Sequence, residues 1–124
     1  METVSVRYIV DDVDAAVKFY TGHLGFEVQM RPAPGFAMLS RGDLRLLLNA
    51  PSAGGGGQAS ATAKPSSGGW NRFQLPVDDF DATVARLDAA DVRFRTAIIE
   101  GNGGRQVLVE DPSGNPVEIF EPTA

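Results

Sequence analysis

Val10-Asp11-Asp12-Val13-Asp14-Ala15 returns as Val77-Asp78-Asp79-Phe80-Asp81-Ala82, 67 positions further along the chain. A short strand-like run precedes each copy, Val4–Val10 and Arg72–Val77. The apolar triplets that follow, Val13, Val17, Tyr20 and Phe80, Val84, Leu87, both fall at i, i+4, i+7. That spacing lines one face of a helix. A repeat of this length is one supersecondary unit, and such units bury their apolar faces against one another. The expectation is two βα-led modules that share one core, with any cleft where they meet.

A chain of 124 residues is long enough for one domain with a real core and too short for two independent ones. The expected organisation is therefore one domain over 1–124. Module one takes 1–49, a connector 50–69, and module two 70–124. In module one, Val4, Val6, Tyr8 and Val10 alternate with Ser5, Arg7 and Ile9, as in a half-buried strand. Asp11 or Asp12 caps the following helix, which runs to Gly22 or His23. A strand Phe26–Arg31 is then broken by Pro32 and Pro34, and Phe36–Ser40 and Leu44–Leu48 form a hairpin around Arg41-Gly42-Asp43.

Module two repeats that order. Its strand is Asn71–Val77, its helix Asp79–Ala89, and Asp91 stands where a helix terminator is wanted. Strands follow at Val92–Thr96, Gln106–Glu110 and Pro116–Phe120. Gly101-x-Gly103-Gly104 precedes a strand rather than a helix, so it is a turn and not a phosphate loop. Residues 50–69 are almost all Gly, Ala, Ser and Pro, which leaves two readings: a flexible linker, or a flap over a ligand cleft.

Eleven basic residues against sixteen acidic ones give a net charge of −5, which argues against a nucleic-acid partner. No apolar run approaches the roughly 18–20 residues that span a bilayer, so no membrane partner is expected. Met1-Glu2-Thr3 opens neither a basic nor an apolar leader, which points to the cytoplasm. There are no cysteines, hence no disulfides and no thiolate chemistry.

Val10-x-Asp12 followed by Phe19-Tyr20-x-x-x-Leu24-Gly25-Phe26, and Asp111-Pro112-Ser113-Gly114-Asn115-Pro116-x-Glu118 near the end, resemble the vicinal oxygen chelate superfamily. This is the glyoxalase, bleomycin-resistance and extradiol-dioxygenase group. The resemblance covers nearly the whole chain outside 50–69. It implies an α+β fold of two βαβββ modules, each a curled mixed sheet with a helix on its outer face, paired into a cup that holds a small molecule. It also implies a homodimer.

Enzymes of that family hold a metal with one ligand from each of four strands. Carried onto this chain, those positions are Ser5, Arg72, Glu118 and, aligning Gly42 with Gly114, Leu46. Only Glu118 is a good ligand, so no metal cofactor is expected. The single histidine, His23, ends the first helix and suits its negative pole.

If Ser5, Arg7 and Ile9 face the cup, so do Arg72, Gln74 and Pro76, and Pro116, Glu118 and Phe120. Arg72 and Glu118 then either pair where the metal would be or stand solvated at a wide mouth. Arg7 and Gln74 are polar handles, Leu46 a wall, and Phe36, Trp70 and Phe120 the aromatic candidates. Trp70 also fits a place in the core or at an interface. Two functions fit. One is metal-independent binding of a flat or aromatic molecule, as in the family's drug-sequestering resistance proteins. The other is an isomerase, lyase or dioxygenase-like enzyme with Glu118 as base or residual ligand.

Overall fold

Both copies of the repeat start a helix with the same carboxylate. Asp12 accepts a hydrogen bond from the Ala15 N–H at 3.1 Å, and Asp79, 67 residues on, accepts one from Ala82 at 3.0 Å. Each satisfies a first-turn N–H that the helix itself leaves unpaired, worth about 1 kcal/mol. The structure is a computed structural model and describes residues 3–54, 56–58, 60 and 62–123. Its chain forms two compact units, one ending at Gly68 and the other starting at Gly69.

The first unit contains β1 (Val4–Ile9), α1 (Val13–His23), β2 (Glu27–Ala33), β3 (Phe36–Arg41) and β4 (Leu44–Asn49). Its sheet has the order β1-β4-β3-β2, with β1 parallel to β4 and the other pairs antiparallel. Tyr8, Val10, Leu39, Leu46 and Leu48 are buried on one side, together with Val13, Ala16, Phe19 and Tyr20 of α1. The Tyr20 ring meets Phe19 and Phe26 edge to face, with centroids 5.1 and 5.4 Å apart. Such pairs add about 0.5–1.5 kcal/mol beyond the area they bury.

Pro32 does not end β2, as the sequence had suggested, because β2 is the sheet's edge strand and its register shifts between Met30 and Ala33. An edge strand at a bulge is where a residue without an N–H is tolerated.

The second unit contains β5 (Gln74–Pro76), α2 (Phe80–Ala89), β6 (Arg93–Phe94), β7 (Ile99–Gly101), β8 (Gly104–Glu110) and β9 (Pro116–Pro122). The order is β5-β9-β8-β6, with β5 parallel to β9 and β7 also pairing with β8. The expected strand Val92–Thr96 is thus shortened to β6, and β7 lies outside every expected strand. Ile99 and Glu100 have no alternation that separates a three-rung hairpin from the turn beside it. Arg105 fastens α2 to the sheet: it bonds Glu121 on β9 and Asp81 on α2, and stacks on Phe80 with 4.7 Å to the ring centroid.

Asp91 closes α2 in a left-handed conformation, φ +60°. Its N–H reaches the Asp88 carbonyl, and the Val92 N–H reaches that of Leu87, both at 3.0 Å. This 5→2 and 6→1 pair is the usual helix stop, and glycine fits it with less strain than aspartate. Asp91→Gly should therefore stabilise the protein by about 0.5 kcal/mol. Thermal unfolding would show a melting temperature raised slightly; a fall would mean that the Asp91 side chain carries a stabilising role of its own.

Candidate binding face

Side chains alternate between the faces of a strand, so the pairing register decides which residues share a side. In the second unit Gln74 and Leu108 both pair with Glu118, and Gln106 pairs with Phe120. These five share one face. Leu75, Val107, Val109, Val117 and Ile119 occupy the other, where they are buried. A buried carboxylate, Glu118, therefore stands in a central strand on the face opposite the apolar core.

Its charge is met on the spot. Arg72 Nε and Nη2 both donate to Glu118 Oε1, at 3.0 and 2.9 Å, and Gln74 Nε2 donates to Oε2 at 2.6 Å. Of the two arrangements open to Arg72 and Glu118, the structure shows the paired one. The contact is not a fork on a fork, because Gln74 has taken the second oxygen. Arg72 Nη1 turns back to the Trp70 carbonyl at 3.3 Å. The Arg72 side chain remains 28% exposed against 9% for Glu118, so the pair forms the floor of an open face.

Trp70 is 63% exposed, which answers the choice between core and surface. One side of its ring lies on the guanidinium of Arg95, 4.6 Å from the centroid. Phe120 is partly exposed on the same face as Glu118. Arg95 and its partner Glu110 were missed by sequence reasoning. The signal was faint: β6 pairs Arg93 with Glu110, and Arg95, just past the end of that strand, turns back to the same carboxylate, with Nε to Oε2 at 2.8 Å.

In the first unit, Arg7 pairs with Leu47 and Phe36 with Asn49, on the face away from α1. Leu46 is not there. It pairs with Val6 and is fully buried on the helix side, so the expectation that it lines the ligand face is corrected. The position that answers to Glu118 is Leu47, since Arg7 meets Leu47 as Gln74 meets Glu118. Matching Gly42 with Gly114 slipped by one residue because β3 and β4 are joined by Gly42-Asp43 alone, whereas β8 and β9 are joined by Asp111–Asn115. One residue of slip changes the face.

The first part of the 50–69 stretch is folded onto this unit. The Ala50 N–H bonds Gly35, that of Gly57 bonds Ala53, and Asn49 Nδ2 holds the Ala53 carbonyl at 3.1 Å. A Cβ at Gly56 would meet the Arg7 guanidinium, so the glycine lets the backbone lie against that group. Residues 55, 59 and 61 fall outside the described part.

The donor set does not suit a metal. Ser5 is exposed opposite Arg45, Leu47 cannot coordinate, Arg72 is a cation, and both oxygens of Glu118 already accept hydrogen bonds. Among the described residues no three His, Cys, Asp or Glu side chains converge as a metal site. His23 packs against Phe19 at the end of α1, with ring centroids 5.6 Å apart. Also among the described residues, no helix is long and apolar enough to cross a membrane.

The profile of the Glyoxalase/Bleomycin resistance protein/Dioxygenase superfamily matches residues 3–119, and the chain belongs to that family. It is 27% identical to the uncharacterized protein YaeR of Escherichia coli K12, over 94% of this chain and 92% of that one. Among solved structures it is similar to lactoylglutathione lyase from Agrobacterium tumefaciens, with TM-score 0.74 and 25% identity over 98% of this chain and 92% of that one. It is equally similar to TnmS3, an antibiotic-binding protein from Streptomyces sp. CB03234. There the TM-score is 0.75 and the identity 25%, over 99% and 97% of the two chains.

Arg72 and Glu118 should be energetically coupled. Glu118→Gln leaves Arg72 without its counter-charge and should cost about 1–3 kcal/mol, below the fully buried figure because Arg72 keeps some water. Adding Arg72→Met should then cost less than its own single effect. Additive losses in denaturant unfolding of the four proteins would show no coupling. Gly57→Ala is a separate case, expected to destabilise by about 1–3 kcal/mol, because a Cβ there would run into the backbone of Ala50 and Ala53. An unchanged unfolding midpoint would show that the segment lifts away freely.

Proposed function

We propose that this member of the superfamily binds a flat, aromatic small molecule without a metal, on the open face that carries Trp70, Arg72, Gln74 and Glu118. The observation that carries this reading is the state of Glu118. A general base needs a free oxygen and a pKa near neutrality, and a metal ligand needs a free lone pair directed at the ion. Here Arg72 fills both lone pairs of Oε1 and Gln74 takes one of the two on Oε2, so a single lone pair is left, on an oxygen already held by an amide. The carboxylate serves to orient its two neighbours.

Those neighbours still have something to offer. Three of the five guanidinium N–H groups of Arg72 are used, by Glu118 twice and by Trp70 once. Gln74 spends an N–H on Glu118, which leaves its amide oxygen as an acceptor. A planar ligand with a carbonyl and an N–H or O–H on one edge would satisfy both. Its ring would lie against exposed aromatic surface, the general pattern of a small-molecule site. Phe120 is a further candidate contact on this face, while Arg7 and Phe36 are candidates on the first unit's own face.

The similarity to an antibiotic-binding protein fits a sequestering role in antibiotic resistance. The similarity to a lactoylglutathione lyase keeps an enzymatic reading in view, with Glu118 as its residue. The occupied oxygens of Glu118 favour binding. We place the protein in the cytoplasm as a homodimer, the arrangement that family resemblance and the general frequency of twofold oligomers favour.

Calorimetric titration with 2-naphthamide, a flat probe with a carbonyl and an N–H on one edge, should show saturable binding that Trp70→Ala and Gln74→Ala each weaken severalfold. Binding unchanged in both variants would overturn the assignment of this face. Excess Zn²⁺, Ni²⁺ or Mn²⁺ should leave the melting temperature unchanged, because an ion that binds only the folded state must raise it. Light scattering should give about twice the chain mass of 13.2 kDa; a monomer mass would refute the dimer.

A further inference from the structure

An exposed tryptophan held by a largely buried arginine is an unusual use of both residues. Arg95 has only 14% of its side chain in water. Its Nε binds Glu110 at 2.8 Å, its Nη2 binds the Gly114 carbonyl at 2.8 Å, and its Nη1 binds the carbonyl of Gly69. Gly69 is the residue before Trp70. The same guanidinium then covers one face of the Trp70 ring. Gly68 and Gly69 approach with φ of +100° and +83°, conformations that glycine reaches without strain. The backbone before the ring and one side of the ring are thus fixed by a single cation.

Nothing in the fold needs this. Trp70 is 63% exposed and contributes little burial to a core. The segment could be anchored through its backbone without an indole. What the arrangement accomplishes is to hold a large, mostly exposed aromatic surface with one face backed by a cation. A preorganised ring loses little entropy when a second ring stacks on it.

We infer that Arg95 is a positioning residue that presents the free face of Trp70 as the stacking platform for the ligand's ring. This rests on the proposed binding function and adds which face of which ring meets the ligand, and what holds it there. Glu110 takes part by orienting Arg95. The Asp111–Asn115 turn takes part by supplying the Gly114 carbonyl. Neither Arg95 nor Glu110 touches the ligand.

Trp70 is the only tryptophan in the chain, so its fluorescence reports on this ring alone. Arg95→Met keeps length and removes the charge and every donor; Arg95→Lys restores the charge without the fork. In the ligand-free protein, time-resolved anisotropy should show the native ring moving with the whole molecule. Arg95→Met should add a fast local depolarisation, and Arg95→Lys should fall between the two. With 2-naphthamide as the probe, Arg95→Met should bind about tenfold more weakly and Arg95→Lys about threefold, with circular dichroism unchanged in the lysine variant.

Native anisotropy and native affinity in both variants would overturn the inference and leave the binding function standing. A ring loosened in Arg95→Met, with affinity unaltered, would also overturn it, since the ring would then not be the platform. If the native protein does not bind the probe at all while its ring is rigid, the binding reading falls and takes the platform with it. Should Arg95→Met fail to fold, the graded loss in Arg95→Lys decides between the same outcomes.

Discussion

A carboxylate buried in a central strand has to be neutralised where it stands, and in this protein that demand organises a whole sheet face. Glu118 is 7% exposed and cannot be solvated by water alone. An isolated buried charge costs several kcal/mol, whereas one that receives charge-assisted hydrogen bonds on both oxygens is tolerated. Arg72 and Gln74 supply those bonds from a single segment, on side chains two residues apart that point the same way. Once Arg72 is committed to Glu118, its remaining amino group fixes the Trp70 carbonyl, and the segment entering β5 is tied down. Position, charge and direction in this part of the second unit follow from one acidic residue.

Much of the fold was legible because the repeat carries its own punctuation. Asp12 and Asp79 cap, the i, i+4, i+7 triplets define the helices, and Asp91 stops α2 as its place after the helix suggested. Legibility ended where structure depends on a partner strand. Pro32 reads as a break unless β2 is known to be an edge. β7 exists only because β8 is there to pair with it. Leu46 and Leu47 are neighbours of one chemical type, and only the difference between a two-residue and a five-residue turn shows which shares a face with Arg7. Composition misled in the same way at 50–58. A Gly-Ala-Ser stretch looks incapable of packing, yet Gly56 lies against the Arg7 guanidinium and Gly57 where backbone leaves no room for a side chain. Glycine can mean slack, or it can mean contact too close for a Cβ.

The candidate site was legible as residue types and less so as an arrangement. Arg72, Gln74, Glu118 and Phe120 follow from period two, which needs only the chain itself. Arg95 and Glu110 do not, because Arg95 lies in the bend after β6 and meets Glu110 only once β6 has paired with β8. Arg95 also makes sense of a motif the sequence displays plainly. Asp111 accepts hydrogen bonds from the N–H groups of Ser113 and Asn115, both at 2.9 Å, and the Asn115 side chain returns to Asp111 at 3.0 Å. That closed turn holds the Gly114 carbonyl in place, and the carbonyl holds Arg95.

A turn cross-braced by its own hydrogen bonds makes a stable anchor, because its carbonyl is held by bonds within the turn. The Asp111–Asn115 segment joins β8 to β9, the two strands with the longest pairing register in the second unit. Stiffness passes from that ladder to the turn, from the turn to Arg95, and from Arg95 to an aromatic ring on the surface. In the other direction, β9 carries Glu118, which fixes Arg72 and through it the backbone of the same tryptophan. Trp70 is therefore held by two cations that share no counter-ion, one paired with Glu110 and one with Glu118. Arg72 holds the backbone of Trp70 and Arg95 meets the ring, so the two anchors fix different parts of one residue. Double anchoring of an exposed aromatic is hard to explain by stability, to which the ring adds little burial. It is what recognition requires, since a stacking surface is useful only when its plane is set before the ligand arrives.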